Sequence, residues 1–312
     1  SGRILKFKPD LPQSNLPPMI QRYSLGCPVW ANKDWVGLLY TKGAKPKQYL
    51  SQYAEVFNTI EGNPTFYGLP KEEVVQRWKQ DTPPHFRFCF KFPQQITHTH
   101  KLLNVEEATQ RFFQILKPLE EKIGLLFLQL PPTFNKTGLP VLKKFLSTLP
   151  KHFHYAVEVR QDDFYDSANP AEQQLNDLLS QFQMNRAIFD TVALHAIETE
   201  DIRMRDTQRR KPKMKEYFTA TGNHPFLRFV GHETVDPNME RLKYLAKVVA
   251  QWIEEKRHPF VFMHSPPDDR EAPQLCRKFH EILSTRISTI GSIPPWPGEE
   301  EQKKPQQKNL FS

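Results

Sequence analysis

The chain reads as an α/β protein, a single (β/α)8 barrel of the TIM type. Eight short apolar runs alternate with amphipathic stretches along most of its length. The first run is not followed by the Gly-rich turn of a doubly wound sheet, and nearly every run ends on a polar or ionisable residue. Strand then helix, eight times over, is the pattern of a parallel barrel, whose strand ends form the rim where sites are built.

The first residues, 1–22, are Pro-rich and predict an arm outside the barrel. The barrel is expected over 23–290. Its strands are predicted at "YSLGC" (from Tyr23), "FNTIEGN" (from Phe57), "FRFCFKF" (from Phe86) and "IGLLFLQLP" (from Ile123). The second half follows with "HYAVEVR" (from His154), "NRAIFDT" (from Asn185), "FLRFVG" (from Phe226) and "PFVFMHS" (from Pro259). Their length and their β-branched and aromatic content suit buried strands. Helical periodicity lies between them. Ala108, Phe112, Ile115, Leu116 and Leu119 share one face within 105–122, and Met239, Leu242, Leu245, Ala246, Val249, Trp252 and Ile253 do so within 238–257. Shorter helices are predicted at 49–56, 72–80, 141–149, 171–182 and 272–283. One irregular insertion, 191–225, follows the sixth strand. The tail, 291–312, is expected to be flexible and, from Gly298 onward, disordered.

Composition bounds the function classes. Apolar residues make up 38% and charged residues 25%, with 23 Phe, an ordinary globular balance with material for a large core. The three cysteines, Cys27, Cys89 and Cys276, are far apart and form no Cys-x-x-Cys pair. That speaks against a disulfide framework and for a reducing compartment. No apolar run reaches the roughly 18 residues of a membrane span, and no signal-peptide core opens the chain. The expectation is a cytoplasmic protein with no membrane association. The net charge is +8. Residues 200–215 ("EDIRMRDTQRRKPKMK") hold seven Arg or Lys against three acids and so supply +4 of it. A basic insertion beside a cleft is an electrostatic footprint for phosphate or nucleic acid.

Side-chain alternation places the ionisable groups. In "FRFCFKF" the four Phe share the face that packs on helices, and Arg87, Cys89 and Lys91 share the face toward the barrel axis. Thr59, Glu61 and Asn63 fall together in the same way, as do Glu158 and Arg160. Reading the strand ends in order gives Gly26 and Cys27, Glu61 and Asn63, Lys91, Gln129, Glu158 and Arg160, Asp190, Arg228 and His264, with His98 in the loop after the third strand.

These motifs also carry a resemblance. "TIEGNPTFY" (Thr59 to Tyr67), "FRFCFKFPQQITH" (Phe86 to His98), "LQLPPTF" (Leu128 to Phe134), "AVEVR" and "LRFVG" (Leu227 to Gly231) resemble the YecE-like proteins, from about Tyr23 to Leu283. The resemblance implies a β/α barrel in a domain of unknown function, with no reaction attached. Family members often end the last strand on Asn, where this chain has "MHSPPD", so His264 is a departure.

The rim residues suit three chemistries. Glu61, Glu158, Asp190 and His264 are the candidate catalytic groups, and a divalent metal is the one cofactor such a set could take. Without metal, Glu61 and Glu158 would serve as an acid/base pair in the manner of glycosidases. Asn63, Lys91, His98, Gln129, Arg160 and Arg228 are the candidate substrate-binding groups, and their three cations favour a phosphate-bearing substrate over a neutral sugar. No P-loop, Gly-x-Ser-x-Gly or dinucleotide fingerprint is present. Near the end of the chain, Gln307, Leu310 and Phe311 form a Gln-x-x-Leu-Phe peptide similar to those that dock on the DNA sliding clamp. The leading expectation is an enzyme, of phosphoesterase-like hydrolase type, acting on a phosphate-containing or nucleic-acid substrate. The alternative is a non-catalytic nucleic-acid or clamp-associated binding protein, with a glycoside hydrolase third.

Overall fold

The computed structural model describes residues 19–303. Eight parallel strands run in the order β1-β8-β7-β6-β5-β4-β3-β2: β1 (Ser24–Gly26), β2 (Thr59–Gly62), β3 (Arg87–Lys91), β4 (Ile123–Gln129), β5 (Tyr155–Glu158), β6 (Asn185–Asp190), β7 (Phe226–Val230) and β8 (Phe260–His264). Each falls within one of the eight apolar runs. The helices are α1 (Pro46–Val56), α2 (Pro64–Tyr67), α3 (Glu72–Gln80), α4 (Glu106–Leu116), α5 (Leu139–Thr148), α6 (Pro170–Gln181), α7 (Val192–His195), α8 (Ile202–Arg210), α9 (Met239–Glu254), α10 (Ala272–Ser284) and α11 (Pro297–Lys303).

The strand order is that of a barrel, and the seam between β1 and β2 shows how it is shut. No strand ladder joins these two; a single main-chain bond does, from the Glu61 N–H to the Cys27 carbonyl at 3.1 Å. Side chains supply the rest. The Tyr53 hydroxyl, from α1, accepts the Cys27 N–H at 2.7 Å and donates to the Thr59 carbonyl at 2.9 Å. Asn58 accepts the Leu25 N–H at 2.9 Å and donates to the Tyr23 carbonyl at 2.9 Å. Gly26 permits the approach, since a Cβ there would meet the Thr59 carbonyl oxygen at 2.1 Å.

Alternation along the strands holds. Cys89, Leu125, Phe127, Ala156, Ala187, Phe226, Phe260 and Phe262 form a buried cluster inside the barrel. Phe88 and Phe90 point outward and stack on Trp78 of α3, at 6.3 and 5.8 Å. The charged residues one step further along these inner faces therefore stand on a sealed apolar floor.

Two expectations change. The periodic stretch 105–122 is helical in two parts: α4 ends at Leu116, and Lys117–Lys122 tightens to a 3-10 helix. Pro118 lacks the N–H that an α-helix would need there. The described part of the tail is ordered past Gly298. It begins as α11, anchored by buried Trp296, by the Gly298 N–H on the Leu39 carbonyl (3.3 Å) and by Arg277 bonded twice to Glu299 (2.8 and 2.9 Å). Arg277 also covers the Trp296 ring at 3.5 Å, so α10 holds the polar tail through both a carboxylate and an aromatic face. Gln307, Leu310 and Phe311 lie outside the described residues. Among the described residues no helix is long and apolar enough to cross a membrane.

Candidate functional site at the barrel rim

Arg228, inward on β7, organises the rim. Its Nε and Nη2 donate to Glu61 Oε2 and Oε1 at 2.9 and 2.8 Å, a bidentate pair across the barrel from β7 to β2. Its Nη1 donates to Glu158 Oε2 on β5 at 2.6 Å. Arg160, just past β5, holds the other Glu158 oxygen through Nε and Nη2, both at 2.8 Å. Asn63 donates to Glu61 Oε1 at 2.9 Å, and His264 Nε2 lies 3.0 Å from Glu61 Oε2. Glu61 and Glu158 are fully buried, which makes this pairing a requirement, since an unpaired buried carboxylate is strongly unfavourable.

The two carboxyls are held ionised. Burial raises the pKa of Glu61, but Arg228 and then His264 outweigh it and keep the group well below the usual range. Glu158 is likewise raised by burial, then lowered to about 2 by Arg228, Arg160 and Lys91. Neither is held protonated as a general acid near neutrality, so the arrangement lacks the split pair of carboxyls that glycosidases use.

Lys91, at the end of β3, is placed differently. Its side chain is only 7% exposed, and its Nζ makes no hydrogen bond or ion pair among the described residues. Its nearest partner is the face of Phe66, 3.7 Å from the ring centroid. Burial, and then the Arg228 charge, lower this amine to about 7, against the opposing pull of Glu158 and Glu61. His98 packs edge-on against the same Phe66 ring at 5.2 Å, and its Nδ1 lies 2.8 Å from the Thr97 hydroxyl. Burial and the Lys91 charge lower its pKa. Gln129, the buried end of β4, has no side-chain hydrogen bond among the described residues.

Asp190 is not brought to this cluster. Its carboxylate receives Arg241 of α9 and the Val192 N–H, on the outer side of β6. The inward residue of that strand end is Phe189, whose ring lies 4.5 Å from the Arg160 guanidinium carbon and 5.1 Å from that of Arg228. Of the four groups the sequence offers as catalytic candidates, Glu61, Glu158 and His264 meet in this cluster and Asp190 does not. Among the described residues no group of three or more His, Cys, Asp or Glu is placed to hold a metal ion.

Two residues complete the rim from loops. Lys211, in the basic insertion, reaches the same Phe189 ring at 5.9 Å. Its pKa is lowered by burial and by Arg228. Asp269, in the loop after β8, is raised by burial against the pull of His264 and Lys211, and its Oδ1 accepts the Ser265 N–H at 2.9 Å. Neither stands at a strand end, so strand alternation could not flag them. The remaining basic residues of the insertion are largely paired locally: Arg203 with Asp201, Arg205 with Glu200, and Arg209 and Arg210 with Asp206.

Comparison with known proteins agrees with this architecture. Residues 24–301 match the family described as protein of unknown function DUF72. The chain belongs to this family. A family relative, the UPF0759 protein YecE of Escherichia coli strain K12, is 38% identical over 287 residues, covering 92% of this chain and 99% of that protein. DUF72 family crystal structures are similar in fold. The one from Thermotoga maritima gives a TM-score of 0.64 at 20% identity, covering 84% of this chain and 99% of that one. One from Enterococcus faecalis gives 0.65 at 19% identity, covering 84% and 95%. The YecE-like membership and the TIM-type barrel implied by the motifs are therefore established, and the reaction is not given by the family.

Proposed function

We propose that the barrel rim binds a small phosphate-bearing substrate and acts on it as an enzyme, with Lys91 as the reactive amine. One observation carries the reading. The two carboxylates Glu61 and Glu158 are matched in charge by Arg228 and Arg160, which leaves Lys91 and Lys211 against the single loop carboxylate Asp269, a net positive rim over a buried, low-dielectric floor. Such a surplus attracts an anion more strongly than the same charges would in open water. An amine that titrates near neutrality is also suited to giving and taking protons at working pH.

The local pairing of the α8 arginines favours a compact anion over a nucleic-acid backbone, which needs a row of free cations. Metal-dependent hydrolysis draws no support from the ligand geometry at the rim.

Sulfate tests the reading, because it mimics a phosphate group and keeps its charge across neutral pH. At matched ionic strength, sulfate in place of chloride should raise the unfolding midpoint of the wild-type chain. Occupancy at ten times the dissociation constant corresponds to about 1.4 kcal/mol. The shift should shrink in Lys211→Met and vanish in the Lys91→Met, Lys211→Met double variant. A full shift in the double variant, or none in the wild type, overturns the proposal.

A further inference from the structure

We infer that Lys91 is a Schiff-base nucleophile and that the substrate class is a phosphate-bearing aldehyde or ketone. The inference rests on the phosphate-binding reading for the second half of that statement and on the rim geometry for the first.

The geometry singles out this amine. A lysine that is nine-tenths buried normally has a carboxylate or carbonyl partner. Lys122 shows the ordinary case, donating to the Lys79 and Thr82 carbonyls at 2.8 and 2.5 Å and to the Thr82 hydroxyl at 3.0 Å. Lys91 has only an aromatic face, although Glu61 and Glu158 are near enough to act on its charge. Those carboxylates are already occupied by Arg228 and Arg160. The amine is thereby kept inside the site without being neutralised by it, which is how burial and neighbouring cations prepare a lysine for attack on a carbonyl.

No other nucleophile competes. Cys27 points away from the rim toward Cys276, with the two sulfurs 3.7 Å apart. The Cys89 thiol is held in the apolar floor, where burial raises its pKa. Ser265 is fully buried, and Thr65 donates to the Lys91 main-chain carbonyl at 2.6 Å. At the β6 side of the mouth, Lys211 reaches the Phe189 ring and provides the cationic end for a phosphate, leaving the carbonyl end for Lys91.

The step balances without a further reagent. The neutral Nζ of Lys91 adds its electron pair to the carbonyl carbon, the C–N bond forms, and the C–O π pair moves to oxygen. The nitrogen passes one proton to that oxygen. The carbinolamine then takes one proton from solvent and expels water, leaving a protonated imine. The iminium nitrogen is an electron sink beside which a neighbouring C–H or C–C bond can break.

Pyridoxal 5′-phosphate, an aldehyde carrying a phosphate, and pyridoxal, the same aldehyde without it, are the probes. Full-length protein is treated with each at pH 7, reduced with borohydride, and mapped by mass spectrometry. Borohydride delivers hydride to the imine carbon and fixes a stable secondary amine. The expected result is labelling of Lys91 at least tenfold faster than of exposed lysines such as Lys71 and Lys243, because about half of a pKa-7 amine is neutral at that pH against less than one part in a thousand at pKa 10.4. Loss of the fast phase in Lys91→Arg, with a wild-type circular dichroism spectrum, supports the assignment. A preference for the phosphorylated aldehyde that sulfate competes away supports both halves. Equal labelling of Lys91 by both aldehydes keeps the nucleophile and overturns the phosphate-bearing substrate. Labelling of Lys91 no faster than of surface lysines overturns the Schiff-base assignment, even where sulfate binding is intact.

Discussion

At the scale of single residues the rim depends on Arg228. It ties β2, β5 and β7 together through Glu61 and Glu158, and its removal would strip Glu61 of its guanidinium and leave Glu158 to Arg160 alone. Glu158 offers the cleaner test. Its folded pKa, about 2, lies below the unfolded value of roughly 4.3, so between those limits the unfolded chain binds the extra proton. The stabilisation is therefore present above about pH 4.3 and drains away as pH falls toward 2. In Glu158→Gln the chain should be less stable at pH 7 by about 3–5 kcal/mol, the cost of breaking a buried pair. It should also lose less stability than the wild type between pH 5 and pH 3. Urea unfolding at the two pH values reads both, and an unchanged acid sensitivity would contradict the assigned pairing. Glu61, Asn63, Lys91, Glu158, Arg160, Arg228 and His264 were legible as one rim because strand alternation puts them on inner faces at strand ends. Their division of labour was not. Whether a guanidinium is available to a ligand depends on which carboxylates reach it, and that is a property of the closed barrel. Arg228 reads as an anion-binding group in sequence, and in the fold it is matched by two carboxylates.

At the scale of elements, β6 shows where strand-end position alone misleads. Asp190 is the last residue of the strand, yet the alternation that puts Ala187 and Phe189 inward sends Asp190 outward to Arg241. Parity, not terminal position, decides, and "NRAIFD" contained that signal. The loop contributions of Lys211 and Asp269 had no such signal, because the reach of an irregular segment is set by what it packs on. The β1–β2 seam makes an element-level prediction. Tyr53→Phe removes the hydroxyl that serves both the Cys27 N–H and the Thr59 carbonyl, and each buried main-chain group left unpaired costs about 1–3 kcal/mol. Phe keeps the ring packing on Phe57 and Phe86, so the loss should come from the seam. Denaturant titration should show the lowered midpoint, and the amides of Leu25 and Cys27 should exchange faster with solvent. A midpoint within 0.5 kcal/mol of wild type, a margin typical of neutral changes, would show that the seam is held by other contacts.

At the scale of the whole molecule, the fold places a charge-balanced cluster on an apolar floor and sets two further lysines at its mouth against one loop carboxylate, Asp269. The barrel was readable from periodicity because eight buried parallel strands leave continuous apolar runs between amphipathic helices. The docked tail helix was not, since its polar sequence is held by Arg277, Lys42 and the Gly37 carbonyl, partners distant in the chain. The net charge of +8 says little about function; what matters is that two positive charges lie where burial makes them want a partner. Anion binding should then recruit a proton, because the bound anion favours the charged form of an amine that is half neutral at pH 7. The direct measurement is calorimetric titration of sulfate at pH 7.5 in two buffers of different ionisation enthalpy. Uptake of roughly half a proton or more per sulfate bound, abolished in Lys91→Met, is the predicted result. Binding with no proton uptake, or uptake unchanged in Lys91→Met, would contradict it.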